Sequence, residues 1–533
     1  MPLITCLALG VGMLIGGKMF STATTPERQQ DLGQTLEKLK QVMLYVEHYY
    51  VDTANIEELA DYGIEQMLLK LDPHTVYIPL KDLQISNAQL EGDFDGIGVE
   101  FNIFKDTLSI MAVIPNGPSE MVGLQAGDKV IMIDDKNVAG VKLTSRDVFS
   151  KLRGPRGTKV KVSVRRKGQS KLMDFIITRD QIPTYTVDAA YMIDKKTGFL
   201  KVSRFGERTY EEYKEALAKL TNSGMKRLIL DLRGNPGGYM DRAIDMVDEL
   251  LAGKKKIVYT DGKVSQFDEV YYSSKSGTFE KGEVIVLIDE FSASASEIVS
   301  GAIQDNDRGL VLGRRSFGKG LVQKPIQLID GSQLRLTISR YYIPSGRCIQ
   351  KPYDKNKDYE MDLVDRYNNG EFYHLDSIKL DKTIVYKTAA GRPVYGGGGV
   401  MPDVFVPRDT SHFSPFLTAV YFSSTIIREF AIDYVNANRK NLQAMGLEAF
   451  ATNFKMAGEV ENTFLAKVKE ANIKYKEADY KISRNFILNE LKGAIARAVW
   501  QNEGYYRITN ELDREVQEAL KNFELASKIQ KDS

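Results

Sequence analysis

The sequence predicts a multidomain α/β protein, and three textures along its 533 residues carry that prediction. Apolar residues first recur at helical spacing, short alternating strands with Gly turns follow, and then strands and helical patterns alternate. A mostly helical stretch ends the chain. Apolar residues make up 43% of the composition and charged residues 27%, enough for ordinary cores and too apolar for wholesale disorder. With 72 Lys+Arg against 71 Asp+Glu, there is no general attraction for nucleic acid or acidic lipid. Two Cys cannot build a disulfide framework, and no Cys/His spacing points to zinc or another metal.

Residues 1–20 hold the uncharged run Pro2–Gly17, which Lys18 interrupts. The run is short for a spanning helix and reads as the remnant of a signal anchor. It predicts export to a periplasmic or other extracytoplasmic space, with the chain held at the membrane. Residues 27–90 read as a helical leader, with Leu32, Leu36, Leu39, Val42 and Val46 on one stripe and Ile56, Leu59, Ile64, Met67 and Leu68 on the next. Asp52 and Pro73 mark its breaks. Residues 91–182 read as a compact β module, with strands near 99–103, 108–113, 129–133, 159–165 and 173–178 and a helix at 145–152. In residues 183–350, strand candidates at 199–205, 227–232, 284–289 and 310–313 alternate with helical patterns at 209–220, 240–251 and 294–305, which predicts a partly parallel sheet. Two further strands, 321–329 and 333–342, flank Asp330-Gly331, a hairpin turn signal. Residues 351–408 are polar and irregular and end in the short apolar segment Val404–Val406, and residues 409–533 form a helical extension.

Three pieces of the 183–350 region carry chemistry. The first, Leu228-Ile229-Leu230-Asp231-Leu232-Arg233-Gly234-Asn235-Pro236-Gly237-Gly238, runs from a buried strand through a Gly-rich turn into a helix. Its backbone N–H groups can cradle developing negative charge, although a plain tight turn would read the same way. The second, Val284–Asp289 followed by Glu290-Phe291-Ser292-Ala293 and the helix from Ser294, leaves a serine at a helix N-terminus, where a simple N-cap is the competing reading. The third, Gly313-Arg314-Arg315-Ser316-Phe317-Gly318-Lys319-Gly320, approaches a phosphate-binding loop. Gly320 stands where that loop needs Ser or Thr, and a strand pattern rather than a helix follows. Lys319 between two glycines reads either as a surface lysine or as one held in a partly apolar pocket, where desolvation favours the neutral amine of a general base.

Taken in order, Phe291-Ser292-Ala293-Ser294-Ala295-Ser296-Glu297-Ile298, Gln304-Asp305-Asn306, Phe317-Gly318-Lys319-Gly320 and Val322-Gln323 resemble the carboxyl-terminal processing proteases, a family of PDZ-containing Ser–Lys peptidases. Leu71-Asp72-Pro73-His74 is similar to the family's leader, Asp231-Leu232-Arg233 with Gly237-Gly238 to its oxyanion loop, and Gly399–Val406 to the segment that closes its core. The resemblance implies a ClpP/crotonase-like protease core. It makes Ser294 the nucleophile, Lys319 the general base and Gln323 the residue that orients the lysine. Ala295 and a glycine of the 237–238 pair, Gly237 by preference, become the backbone oxyanion donors. No metal or cofactor is implied. Ser292 and Ser296 are the competing choices of nucleophile.

Within residues 91–182, Gly96-Ile97-Gly98-Val99 resembles the carboxylate-binding loop of a PDZ domain, and the strand from Val99 would be the edge to which a substrate tail adds. The implied partners are proteins or peptides with accessible apolar carboxyl termini, together with a homodimer partner and an adaptor protein, and no nucleic acid. The alternative is a catalytically silent PDZ scaffold or adaptor of the same fold. The intact set Ser294, Lys319 and Gln323 argues against it.

Overall fold

The computed structural model describes residues 26–531, apart from residues 89, 105, 275, 354–358 and 380–382. The apolar run Pro2–Gly17 lies outside the described residues, and no described helix is long and apolar enough to cross a membrane.

The chain divides into two compact units, the first ending at Pro79 and the second running from Leu80. In the first, helices Pro26–Tyr49 and Ile56–Leu68 follow the two apolar stripes of the sequence. Asn55 starts the second helix by accepting the Glu58 N–H on its side chain. Asp72 shapes the turn beyond it, accepting the N–H groups of His74 and Thr75 on one carboxylate oxygen, each at 2.8 Å. Leu36, Tyr45, Tyr49 and Leu59 are exposed within this unit.

The second unit opens with the β module. Strands Val99–Phe104, Thr107–Val113, Lys129–Ile133, Lys159–Arg165 and Met173–Thr178 pair antiparallel in that order, with Val99–Phe104 at the edge. Helix Ser145–Leu152 begins in a reciprocal cap between Thr144 and Asp147 and buries Val148 and Leu152 against the sheet.

The α/β core follows. Its sheet consists of β1 (Val187–Met192), β2 (Thr197–Val202), β3 (Arg227–Asp231), β4 (Glu283–Ile288), β5 (Leu310–Gly313) and β6 (Val404–Phe405), lying side by side in sequence order. Only β1 and β2 pair antiparallel; β2 to β6 are parallel. Sequential parallel strands joined by crossovers of one hand put all the intervening helices on one face. Accordingly α1 (Thr209–Asn222), α2 (Met240–Asp248) and α3 (Ala295–Asp305) share one core with Leu228, Leu230, Val284, Val286 and Val311. The alternate residues Phe199, Ile229, Ile285, Leu287, Leu310 and Leu312 point to the other face, which those helices cannot reach. The last two helices, α4 (Arg514–Lys521) and α5 (Phe523–Lys531), cover it with Val516, Ala519, Phe523, Ala526 and Ile529. The end of the helical extension is thus a layer of the core, while residues 416–508 enclose an aromatic core of their own around Phe416, Phe430, Phe450 and Phe464.

The hairpin expected around Asp330-Gly331 forms between Leu321–Gln327 and Gln333–Tyr342. Its second strand pairs with Lys256–Gly262, which pairs in turn with Val270–Tyr272. The sequence reading assigned no strand to either of these segments, because their mixed polar residues carry no clear alternation.

Candidate active site

Three loops leave the C-terminal ends of β3, β4 and β5, where open α/β sheets place their sites. They are stitched to one another by hydrogen bonds. Asp289, at the end of β4, accepts the Gly234 N–H at 2.9 Å. The Ser292 hydroxyl donates to the Leu232 carbonyl at 2.9 Å, and the Asn235 carbonyl accepts from Ala293 N–H and from the Ser296 hydroxyl, both at 3.0 Å. Phe317 N–H donates to the Ser292 carbonyl at 2.9 Å and so attaches the third loop.

This stitching separates the three serines. Ser292 and Ser296 are fully buried, and both hydroxyls are taken by loop carbonyls. Ser294 is half-buried and stands immediately before α3 with φ 55° and ψ −115°, a backbone conformation that side-chain-bearing residues rarely adopt and that persists only when the surroundings enforce it. Gly237 supplies part of that enforcement. With φ +96°, it approaches so closely that a Cβ there would lie 2.7 Å from Ser294 Cβ and 2.7 Å from the Ala293 carbonyl oxygen.

Lys319 comes to the same place. Glu297, one turn into α3, accepts the Ser294 and Lys319 N–H groups on a single oxygen, each at 2.8 Å. The two backbone nitrogens therefore lie within twice that distance of each other. The other Glu297 oxygen accepts Gly318 N–H at 2.7 Å and the Ser316 hydroxyl at 2.5 Å. From the opposite side, the Tyr341 hydroxyl donates to the carbonyl oxygens of Ser294, at 3.0 Å, and of Lys319. Lys319 Nζ is half-buried and donates to Gln323 Oε1 at 3.0 Å. Burial pushes the Glu297 carboxyl up to about 7, against the lowering effect of its donors Ser316, Lys319, Gly318 and Ser294. Burial also raises Asp231, but Arg233 and Lys201 more than reverse this and hold it near 2.

Gly237, the preferred oxyanion donor of the 237–238 pair in the sequence reading, donates its N–H to Asn235 Oδ1 at 2.8 Å. The Gly238 and Ala295 N–H groups donate to nothing among the described residues. The phosphate-loop reading of Gly313–Lys319 falls, because strand Leu321–Gln327 follows the loop where a phosphate site needs a helix.

The sequence reading gave Glu297, Tyr341 and Asn235 no role in the site. Glu297 carried a signal, since Ser294-Ala295-Ser296-Glu297 has the Ser-x-x-Glu spacing of a reciprocal helix cap. Tyr341 and the buried Arg366, which donates to the carbonyls of Arg315 and Ser316 at 2.7 and 3.1 Å, carried none.

In the β module, Gly96, Ile97 and Gly98 are buried ahead of edge strand Val99–Phe104. Gly98 has φ +70°. The Ile97 carbonyl accepts both the N–H and the hydroxyl of Ser119, which fixes the loop. The Phe149 ring of helix Ser145–Leu152 packs edge-on against the Phe101 ring of that strand, 5.4 Å between centroids.

Residues 196–361 match Peptidase family S41 and residues 109–166 match the PDZ domain. The carboxy-terminal-processing protease of Bartonella bacilliformis is 34% identical over 337 residues, which is 62% of this chain and 76% of that protein. The chain belongs to the carboxy-terminal processing proteases of peptidase family S41. It is a serine-type peptidase with a PDZ domain. Carboxy-terminal processing protease CtpB of Bacillus subtilis is 32% identical over 338 residues, covering 61% of this chain and 68% of that one. Among solved structures, the photosystem II D1 C-terminal processing protease matches at 24% identity over 70% of this chain and 87% of its own, with a TM-score of 0.36. Residues 418–501 match a family of unknown function.

Proposed function

We propose that the protein is an endopeptidase that captures substrate carboxyl termini on its PDZ domain and cleaves through Ser294 and Lys319 by way of an acyl-enzyme. The observation that carries this reading is the shared Glu297 oxygen and the shared Tyr341 hydroxyl, which hold the backbones of Ser294 and Lys319 side by side. Neutral Lys319 takes the Ser294 proton as Oγ attacks the scissile carbonyl, with Gln323 orienting the amine. The Ala295 and Gly238 N–H groups receive the oxyanion, a contribution of about 3–4 kcal/mol per donor in serine proteases. The lysinium then protonates the leaving amine, and water deprotonated by the same lysine resolves the acyl-enzyme. A tail would extend the sheet at Val99–Phe104, with its carboxylate at Gly96-Ile97-Gly98. An unstructured, apolar terminus fits best, because strand addition needs an extended chain. The apolar run Pro2–Gly17 supports export and membrane attachment.

Ser294→Ala and Lys319→Ala, made separately, should each abolish peptide cleavage while tail-peptide binding, followed by fluorescence anisotropy, persists. Turnover retained in either variant would send the mechanism elsewhere.

A further inference from the structure

The roots of all three active-site loops meet in one ion network. Arg233 begins the loop that presses Gly237 against Ser294. Its Nε and Nη2 pair with Asp231 at 3.0 and 2.7 Å, and its Nη1 reaches Asp513 at 2.9 and 3.0 Å and Glu515 Oε2 at 2.5 Å. Arg314 begins the loop that carries Lys319. Its Nε pairs with Glu290 Oε2 at 2.7 Å, and its Nη1 pairs with Glu515 Oε1. Glu290 itself begins the turn into Ser294. Glu515 therefore gives one carboxylate oxygen to each arginine, and it arrives from the first turn of α4, outside the sheet and its crossovers.

We infer that Glu515 is a positioning residue of the peptidase, a clasp that sets the Ser294-facing loop and the Lys319 loop relative to each other. Arg233 and Arg314 are two like charges with little solvent around them, at 13% and 9% side-chain exposure. They stay close only while an anion lies between them. The anion is held rigidly: Asp513 accepts the Val516 N–H at 3.0 Å as the helix cap, and Val516, Ala519 and Phe523 fasten α4 and α5 to the sheet. Buried ion networks of this kind add little net stability; without the Glu515 carboxylate, Arg233 keeps Asp231 and Asp513 and Arg314 keeps Glu290, but the bridge that gave one oxygen to each arginine is gone. A helix from the far end of the chain thereby becomes part of the catalytic apparatus.

The inference rests on the Ser294–Lys319 reading, and the test separates the two. In the full-length chain, Glu515→Gln keeps the shape and removes the charge, and Glu518→Gln, a half-exposed residue of the same helix whose carboxylate meets Lys521, is the control. For E515Q, kcat on a peptide substrate should fall roughly ten- to a hundredfold, the scale of about 1 Å of misplacement, with KM within about twofold. Fluorophosphonate labelling of Ser294 should slow by the same factor, and E518Q should match the parent. A kcat for E515Q within twofold of the parent, a loss confined to KM, or a loss that only tracks the fraction of unfolded protein overturns the clasp. Where E515Q unfolds, Glu515→Asp replaces it: one methylene shorter, it keeps the charge but cannot give an oxygen to both arginines at once, and full kcat there is equally fatal. Turnover retained in Ser294→Ala overturns the nucleophile and the clasp with it; turnover lost in S294A but kept in E515Q overturns the clasp alone.

Discussion

Glu297 ties the backbones of Ser294 and Lys319, the proposed nucleophile and base, so Glu297→Gln is the most informative single change in this site. The carboxylate receives four donors: Ser294 N–H and Lys319 N–H on one oxygen, Gly318 N–H and the Ser316 hydroxyl on the other. A glutamine offers one oxygen and one NH2 group. The Ser316 hydroxyl can rotate and accept, so the amide nitrogen settles on that side and faces the Gly318 N–H, which loses its partner. An orphaned buried donor costs about 1–3 kcal/mol. The loops would relax by moving apart, so kcat should fall at least about tenfold in steady-state peptide cleavage, with the larger loss in kcat rather than in KM. A second readout is the pH dependence of urea unfolding. Because the folded carboxyl titrates at about 7 instead of 4.5, it keeps its proton in a window where the unfolded chain has released it. That contribution is complete below about 4.5 and is lost as pH rises through about 7, a decline of about 3 kcal/mol that E297Q should lack. A variant with parental kcat and an unchanged pH slope would refute the clamp.

Two further outcomes follow from the packing. Gly237→Ala places a methyl group 2.7 Å from Ser294 Cβ at φ +96°, and about 1–2 kcal/mol of backbone strain adds to that collision. Steady-state kinetics should show kcat reduced about tenfold or more in a protein whose circular dichroism is unchanged. Phe523→Ala removes a 4%-exposed ring from the sheet face that α5 covers and should cost about 3–5 kcal/mol in urea denaturation. A loss below about 1 kcal/mol would mean that this helix is not part of the core.

Much of the architecture was legible because local pattern and local structure coincide. The strands at 129–133, 159–165, 173–178 and 310–313 lie where β-branched and apolar runs put them, and the Asp330-Gly331 turn forms where its chemistry demands. Lys256–Gly262 and Val270–Tyr272 were silent. They belong to a sheet assembled from distant segments, and their residues advertise no period of their own.

Within the site, Ser294, Lys319, Gln323 and the glycine pair of the oxyanion loop were nominated by the resemblance of their motifs to a known family, since no one piece of sequence was decisive by itself. The preference for Gly237 over Gly238 could not take account of the Asn235 side chain, which in the fold accepts the Gly237 N–H. The resemblance chose Ser294 over Ser292 and Ser296, but the physical difference lies in the fold, where the hydroxyls of the other two are claimed by carbonyls some sixty positions away. The role of the last helices was hidden for the same reason. A parallel sheet in sequence order leaves one apolar face bare, and only folding shows that residues 514–531 return to cover it and bring Glu515 between Arg233 and Arg314. Composition and periodicity record what each segment prefers locally, whereas the identity of a partner across hundreds of residues is fixed by packing in three dimensions.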